Sequence, residues 1–424
     1  MAIGRQTFFG RHVLASTFVL AIFGWGVGFY GPPIYLQNVI ERTGWNVSLV
    51  SSAVTLHFVL GAVVVANLPR LYRKIGIAWT TTLGACVCAL GTYGWAVAAT
   101  PLQLFAAAAL SGMGWVALGA AAVNALIAPW FVVKRPAALG MAYNGASVGG
   151  ILFSPLWVAL IKQFGFAHAA ALVGIVMVIT IALLSRYVFS YTPEQLGQHA
   201  DGLAPVATTQ TSLQNPNVPT VDNVWRDKRF LTLCAGMALG LFAQIGLIAH
   251  LFSIIVPLLG KQVAGFAMGF ATCCAIIGRM VVGKFMPAHT DRRLVACSGY
   301  ALQVVGSLLL LMAHVHPAFL WLGLTLFGSG IGNATSLPAL IAQVEFAKTD
   351  TQRVIPLIVA ISQGTYAFAP AAFGLLRGAE MAAGLASGRI LFVAAAAVQI
   401  SAIAFFYLGR RRYARANVRV GESA

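Results

Sequence analysis

Acidic residues are scarce in this chain: 10 Asp and Glu stand against 27 Lys and Arg in 424 residues. All ten (Glu41, Glu194, Asp201, Asp222, Asp227, Asp291, Glu345, Asp350, Glu380 and Glu422) fall in expected loops or at the ends of apolar stretches. That leaves no paired carboxylates for acid–base chemistry, and there is neither a His-Glu helix motif nor a nucleotide loop, so no enzyme activity is expected. Cysteine is equally sparse. The six residues Cys86, Cys88, Cys234, Cys273, Cys274 and Cys297 sit in or beside apolar stretches and show no disulfide or zinc spacing. Cys86 and Cys88 would lie about 200° apart around a helix, so no metal and no cofactor is expected. Charge of either sign is also rare. At 9% charged, 59% hydrophobic and a mean hydropathy of +0.84, the chain has too little polar side chain to cover a water-facing surface.

What is present is a rhythm of about twelve apolar stretches of roughly twenty residues, each long enough to cross a bilayer as a helix with its backbone satisfied internally. They run at 14–36, 48–68, 77–98, 104–128, 139–161, 168–189, 231–255, 265–286, 294–314, 318–342, 355–377 and 388–408. The expected class is an all-α membrane protein with twelve transmembrane helices in two six-helix bundles. Residues 1–189 form the first bundle, 190–229 a polar cytoplasmic linker, 230–409 the second bundle and 410–424 a basic cytoplasmic tail. Arg5 and Arg11 precede the first span as in a signal peptide, but that span is long, Gly- and Pro-rich and followed by eleven more, so it is expected to stay uncleaved.

The net charge of +17 reflects topology rather than nucleic acid. With a cytoplasmic N-terminus, only Arg42, Lys162, Lys261, Arg377 and Arg389 face outside and Arg279 lies within a span, leaving the other 21 basic residues inside. Both termini are therefore expected in the cytoplasm of a multi-pass protein of a bacterial inner membrane, with membrane lipid as a partner of the basic tail Arg410, Arg411 and Arg412.

The halves repeat one another. Thr55 and Gly61 in span 2 recur as Thr272 and Gly278 in span 8, and Ala125-Leu126-Ile127-Ala128 in span 4 recurs as Ala339-Leu340-Ile341-Ala342 in span 10. The offsets of 217 and 214 residues approach half the chain, as a parallel two-fold repeat requires. Glycines at three- and four-residue spacing (Gly24, Gly26, Gly28 and Gly31 before Pro32 and Pro33; Gly112, Gly114 and Gly119; Gly145, Gly149 and Gly150 before Pro155) strip one face of each helix for close approach or sliding.

These features resemble the major facilitator superfamily, and within it the monocarboxylate porter and oxalate/formate antiporter branch. The residues that carry the resemblance are the Gly-rich span 1 ending in Pro32-Pro33, Trp130-Phe131 followed by Lys134-Arg135-Pro136, Pro193-Glu194-Gln195-Leu196-Gly197 after span 6, and Gly278-Arg279 before Gly283. The resemblance implies alternating access around a central site between two bundles. Two positions depart from it: Arg73 stands where the loop signature of the superfamily has an acid, and Ala275 where animal monocarboxylate porters place an Asp.

Arg279 stands out on physical grounds alone. An arginine at this depth costs about 2.5–3.5 kcal/mol, and no span supplies an acid to neutralise it. It should face the interior and invite an anionic ligand through two parallel hydrogen bonds. Tyr30, Asn124, Asn144, Gln363 and Tyr366 are the accompanying substrate-binding candidates, and His57 and His250 are the proton-coupling candidates because they alone titrate near neutrality inside the spans. The expected function is secondary transport of a small organic anion, a mono- or dicarboxylate, by a monomeric symporter that also moves protons. The alternative is a drug or metabolite efflux pump on the same scaffold.

Overall fold

The computed structural model describes residues 8–202, 223–286, 290–334, 336–385 and 388–410. The basic tail from 411 onward and the centre of the linker, 203–222, lie outside the described residues. The first half contains α1 (Gly10–Gly28), α2 (Pro32–Thr43), α3 (Val47–Ile75), α4 (Ile77–Val97), α5 (Pro101–Trp115), α6 (Ala120–Ile127) and α7 (Arg135–Leu184). The second contains α8 (Lys228–Phe285), α9 (Arg292–Leu311), α10 (Pro317–Ala334), α11 (Leu337–Glu345), α12 (Lys348–Tyr366), α13 (Ala369–Ala382) and α14 (Arg389–Leu408).

Helix boundaries and membrane passes do not coincide. A straight 50-residue α7 would run about 75 Å, more than twice a hydrocarbon core. Instead α7 turns at Gly165 and α8 at Gly260, whose φ of +77° and +76° suits glycine, so each helix supplies two antiparallel passes. Conversely α1 with α2, α5 with α6, α10 with α11 and α12 with α13 are single passes broken near mid-depth. Twelve passes in two bundles of six result among the described residues.

The break between α1 and α2 follows from sequence. Pro32 has no N–H to give the Gly28 carbonyl, and the Tyr30 amide bonds Trp25 rather than Gly26. Three consecutive carbonyls are therefore met by side chains: Gly26 by Trp157 Nε1 (3.2 Å), Val27 by the Tyr35 hydroxyl (3.1 Å) and Gly28 by His57 Nε2 (2.9 Å). Each donor comes from a different element and pins the break in place.

We call the end bearing the linker and the chain termini the linker end, and the opposite one the far end. Contacts between the halves gather at the far end and mid-depth. Ser48 Oγ donates to the Gly374 carbonyl (3.1 Å), the Ala371 amide donates to Thr55 Oγ1 (2.9 Å), and Lys261 pairs with Glu41 (2.5 Å). Gly265 and Gly269 of α8 lie so close to Ser154, Pro155 and Ile151 of α7 that a side chain would press on them. Toward the linker end, α6 packs on α1, α4 and α7 while α11 packs on α8, α9, α10 and α12, each within its own half. One core spans the first half and the far part of the second, and a separate core around Phe230, Phe346 and Phe406 fills the linker end of the second half. The molecule is closed at the far end and parted at the linker end.

Candidate functional site

The seam face of α8 is read off at helical spacing as Gly265, Gly269, Thr272 and Arg279. Thr272 marks mid-depth: a methyl group on Gly150 of α7 would strike both the Thr272 side chain and the Tyr30 ring. Arg279 lies two turns nearer the linker end, where the halves part. Its Nε donates to the Gly332 carbonyl of α10 at 2.8 Å, which fixes the plane of the guanidinium. No acidic side chain pairs with it among the described residues, and its two terminal nitrogens have no protein partner there. Asn333 reinforces the same helix pair by donating to the Gly278 carbonyl (3.2 Å). Close approach is possible because Gly278 meets the Ser329 backbone and Gly332 meets Ala275 with no side chain between.

Aromatic rings face this guanidinium across the seam. Tyr30 is within electrostatic reach of Arg279 and its hydroxyl neighbours Thr272. Its ring stands edge-on to Phe29 (5.0 Å), Phe29 packs on Phe58 (6.1 Å) and Trp115 (6.3 Å), and Phe58 meets Tyr366 of the second half at 6.2 Å. Gln363 lies one turn before Tyr366 and beside its hydroxyl. Trp115 Nε1 is buried without a partner. Of the substrate-binding candidates, Tyr30 is the one within electrostatic reach of Arg279, while Tyr366 and the neighbouring Gln363 connect to Tyr30 through the rings of Phe58 and Phe29. Sequence reasoning did not single out Phe29, Phe58 or Trp115. The run of aromatics beside the Pro-Pro break was the available signal for Phe29, and nothing marked Phe58 or Trp115 apart from core residues.

The asparagines sit nearer the linker end. Asn124 Nδ2 donates to the Tyr143 hydroxyl (2.6 Å) and the Ala120 carbonyl (2.9 Å), holding α6 against α7. Asn144 is exposed and shares a helical face with Ile151, which touches Gly269, so it looks into the opening between the halves.

The two histidines differ. His57 Nε2 donates to the Gly28 carbonyl, so in the neutral ring Nδ1 accepts from Ser111 Oγ at 2.9 Å. Ser111 also accepts from Trp95 Nε1 (3.1 Å), and the imidazole stacks on Trp115 at 5.5 Å. All of these partners belong to the first half. His250 Nε2 donates to the Pro370 carbonyl (3.1 Å), while its Nδ1 is buried with no partner. It lies at the sealed seam, where Gly374 sits between Ser51 and the His250 ring.

Several charges that the sequence assigns to helix ends are buried. Arg293 is 1% exposed and grips Glu345 through Nε (2.6 Å) and Nη2 (2.8 Å), with further bonds to Thr232 and the Arg229 carbonyl. Arg410, expected in a lipid-facing tail, pairs with Asp291 at 2.7 Å. Arg377 and Glu380 are both buried in α13, Glu380 at 1% exposure. Asp201 and its neighbours, expected in an open linker, fold back on the first half. The Asp201 carboxylate accepts from the amides of Val132 (3.1 Å), Val133 (2.7 Å) and Lys134 (3.1 Å) ahead of α7. Burial raises its pKa, but those amides and the Lys134 charge outweigh burial and hold it below the usual carboxylate value. Among the described residues no three His, Cys, Asp or Glu side chains are grouped to hold a metal.

Comparison with known proteins agrees with this architecture. A crystal structure of a bacterial homologue of the human lysosomal transporter Spinster, in an inward-facing and occupied conformation, is similar at TM-score 0.65 and 14% identity, covering 94% of this chain and 96% of that one. A crystal structure of the nucleoside transporter NupG is similar at TM-score 0.69 and 12% identity, covering 95% of this chain and 98% of that one. At such identities the likeness concerns the fold alone. No curated protein matches the chain. The family model of the Major Facilitator Superfamily matches residues 13–370, most of the chain, and the chain therefore belongs to the Major Facilitator Superfamily of membrane transporters.

Proposed function

We propose that the chain carries a small organic anion through a bacterial cytoplasmic membrane by alternating access, with Arg279 as the anchor for a carboxylate. The observation that carries this reading is the guanidinium itself: half-buried at the seam, oriented by the Gly332 carbonyl, and left with its terminal nitrogens unused by protein. Such a fork matches a carboxylate with two parallel hydrogen bonds. A substrate that touches both Arg279 and the rings of the first half would bias the two access states only through its different contacts in each. The excess of basic residues at the linker end supports a cytoplasmic location for that end, and with it an inward-facing reading of a structure parted there.

Moving a monoanion against 100 mV costs about 2.3 kcal/mol, which one accompanying proton removes. Of the two candidate histidines, His250 suits that role better. The hydrogen bonds of His57 are used up within one half, whereas His250 keeps a nitrogen open at a seam that must part when the far end opens. In proteoliposomes, His250→Gln should make uptake insensitive to an imposed pH gradient, and His57→Gln should not; the reverse pattern would reassign the proton.

The anion reading is tested by thermal stabilisation of the purified protein with acetate, lactate, benzoate and oxalate, alongside uridine as a neutral arm and tetraphenylphosphonium as a cationic arm. A carboxylate should raise the melting temperature, and Arg279→Ala and Arg279→Lys should abolish the shift. Stabilisation by the cation alone would favour an efflux pump instead.

A further inference from the structure

We infer that the anion is an aromatic monocarboxylate, held through its carboxylate by Arg279 with its ring lodged against Tyr30 and Tyr366. This rests on the carboxylate reading above and adds charge number and body shape to it.

Charge number follows from the inventory of the seam. Where the halves part beside Thr272 and Tyr30, Arg279 is the single cationic side chain on the seam face of α8. The next cation within a pass, Arg377, lies in the far half, where it is buried beside Glu380 and reaches the Ser253 carbonyl at 3.4 Å. A dicarboxylate bound at Arg279 would leave its second charge among rings, without a counter-charge in a medium where an unpaired ion is costly.

Body shape follows from what surrounds the guanidinium. A hydroxy acid needs a polar partner beside the carboxylate, and two polar side chains flanking Arg279 on its own side of the seam already donate to helix carbonyls. Thr272 Oγ1 donates to the Met268 carbonyl (3.1 Å) and the Asn333 amide to the Gly278 carbonyl (3.2 Å). Across the seam stand the rings of Phe29, Tyr30, Phe58 and Trp115, and Tyr366 of the same half as Arg279 meets them through Phe58, each ring edge-on or tilted to its neighbour at 5.0–6.3 Å. One more flat ring extends this array with the edge-to-face geometry it already uses. Because Tyr30 and Tyr366 belong to opposite halves, a ring touching both is held by two bodies that move relative to each other. A short aliphatic acid bound at Arg279 offers no ring to this array.

The test is equilibrium binding of benzoate, propionate, lactate, oxalate and terephthalate to the full chain in detergent. Benzoate should bind at least about tenfold tighter than propionate or lactate, and terephthalate should bind more weakly than benzoate. Tyr366→Leu should reduce benzoate affinity to the level of propionate and leave propionate unchanged. Tyr30→Phe, which keeps the ring and guards against misfolding, should retain the preference. If propionate, lactate or a dicarboxylate equals or exceeds benzoate while binding still depends on Arg279, the aromatic inference is overturned and the anion reading stands. If no acid binds in an Arg279-dependent manner, both fail.

Discussion

Two helices that the internal repeat makes equivalent, α3 and the second pass of α8, carry the same packing residues and opposite polar chemistry. Thr55 and Thr272 both sit on the inter-half seam, one accepting from the Ala371 amide and the other against Gly150 and Tyr30. Gly61 lets α3 approach Gly112 and Val116, and Gly278 lets α8 approach Ser329. Between and just beyond these matching positions the halves diverge. His57 of α3 corresponds to Cys274, and Arg279 corresponds to Ala62. His57 spends both nitrogens on neighbours in its own half, whereas Arg279 spends one and keeps its fork open. The difference separates a polar group that builds a bundle from one that awaits a ligand: what counts is the hydrogen-bonding capacity left over after folding.

Removing each group should break the comparison in opposite directions. Arg279→Ala should have the largest effect on binding, a loss of more than about hundredfold in carboxylate affinity, as expected for truncating one partner of a desolvated ion pair worth about 3 kcal/mol. The same variant should leave the melting temperature of the unliganded protein unchanged or raised, because a guanidinium within a span is itself a cost. His57→Ala should do the converse. It deletes a buried ring and strands the Gly28 carbonyl, so stability should fall by about 3 kcal/mol with ligand affinity of the folded fraction intact. Calorimetry and binding on the two variants separate these outcomes, and a shared phenotype would erase the distinction.

A third variant sharpens the contrast between the sealed and parted ends. Gly374→Val places a branched side chain against Ser51 at the far seam, an overpacking of about 1–3 kcal/mol that bears on the far-closed state alone. Spin labels across the two ends should report a shift toward far-end opening; unchanged distances would show that the seam yields without cost. The smallest effect is expected at the linker end. Asp201→Asn should weaken the clasp on Val132–Lys134 by about 1–2 kcal/mol, seen as faster amide exchange there. Because the Asp201 pKa is depressed in the folded protein, its contribution is complete above the unfolded carboxyl value of about 3.9 and is lost as pH falls through the lower folded value. Exchange at these amides should accelerate only below about pH 4 in the wild-type chain, and loss of protection near neutrality would contradict the assignment.

The twelve passes were legible because hydrocarbon thickness sets a length scale that apolar runs must match. The repeat was legible because Thr55 with Gly61 and Thr272 with Gly278 serve matching seams and crossings. Arg279 announced itself as a charge where charge is costly. Other features depended on tertiary geometry. Whether His57 was spent or free turned on the Gly28 carbonyl left without a donor by Pro32, a relation visible only once α3 is placed against the break. Glu380 and Arg293 read as helix-end charges by position, yet neighbouring helices cover them. The Asp-x-Arg pattern at Asp227-Lys228-Arg229 and Asp291-Arg292-Arg293, in which each Asp accepts from the amide of its Arg and caps a helix start, is a local signal that the apolar rhythm alone does not reveal. The fold-back of Asp201 had no comparable signal in a polar stretch.

The most direct test of the open fork is to locate a bound anion. Crystals of the protein grown with 4-bromobenzoate should show the bromine by anomalous scattering near Tyr30 and Tyr366, with the carboxylate within hydrogen-bond distance of both terminal nitrogens of Arg279. A bromine signal remote from the seam, or an Arg279 whose terminal nitrogens are filled by protein groups in the liganded state, would contradict the account.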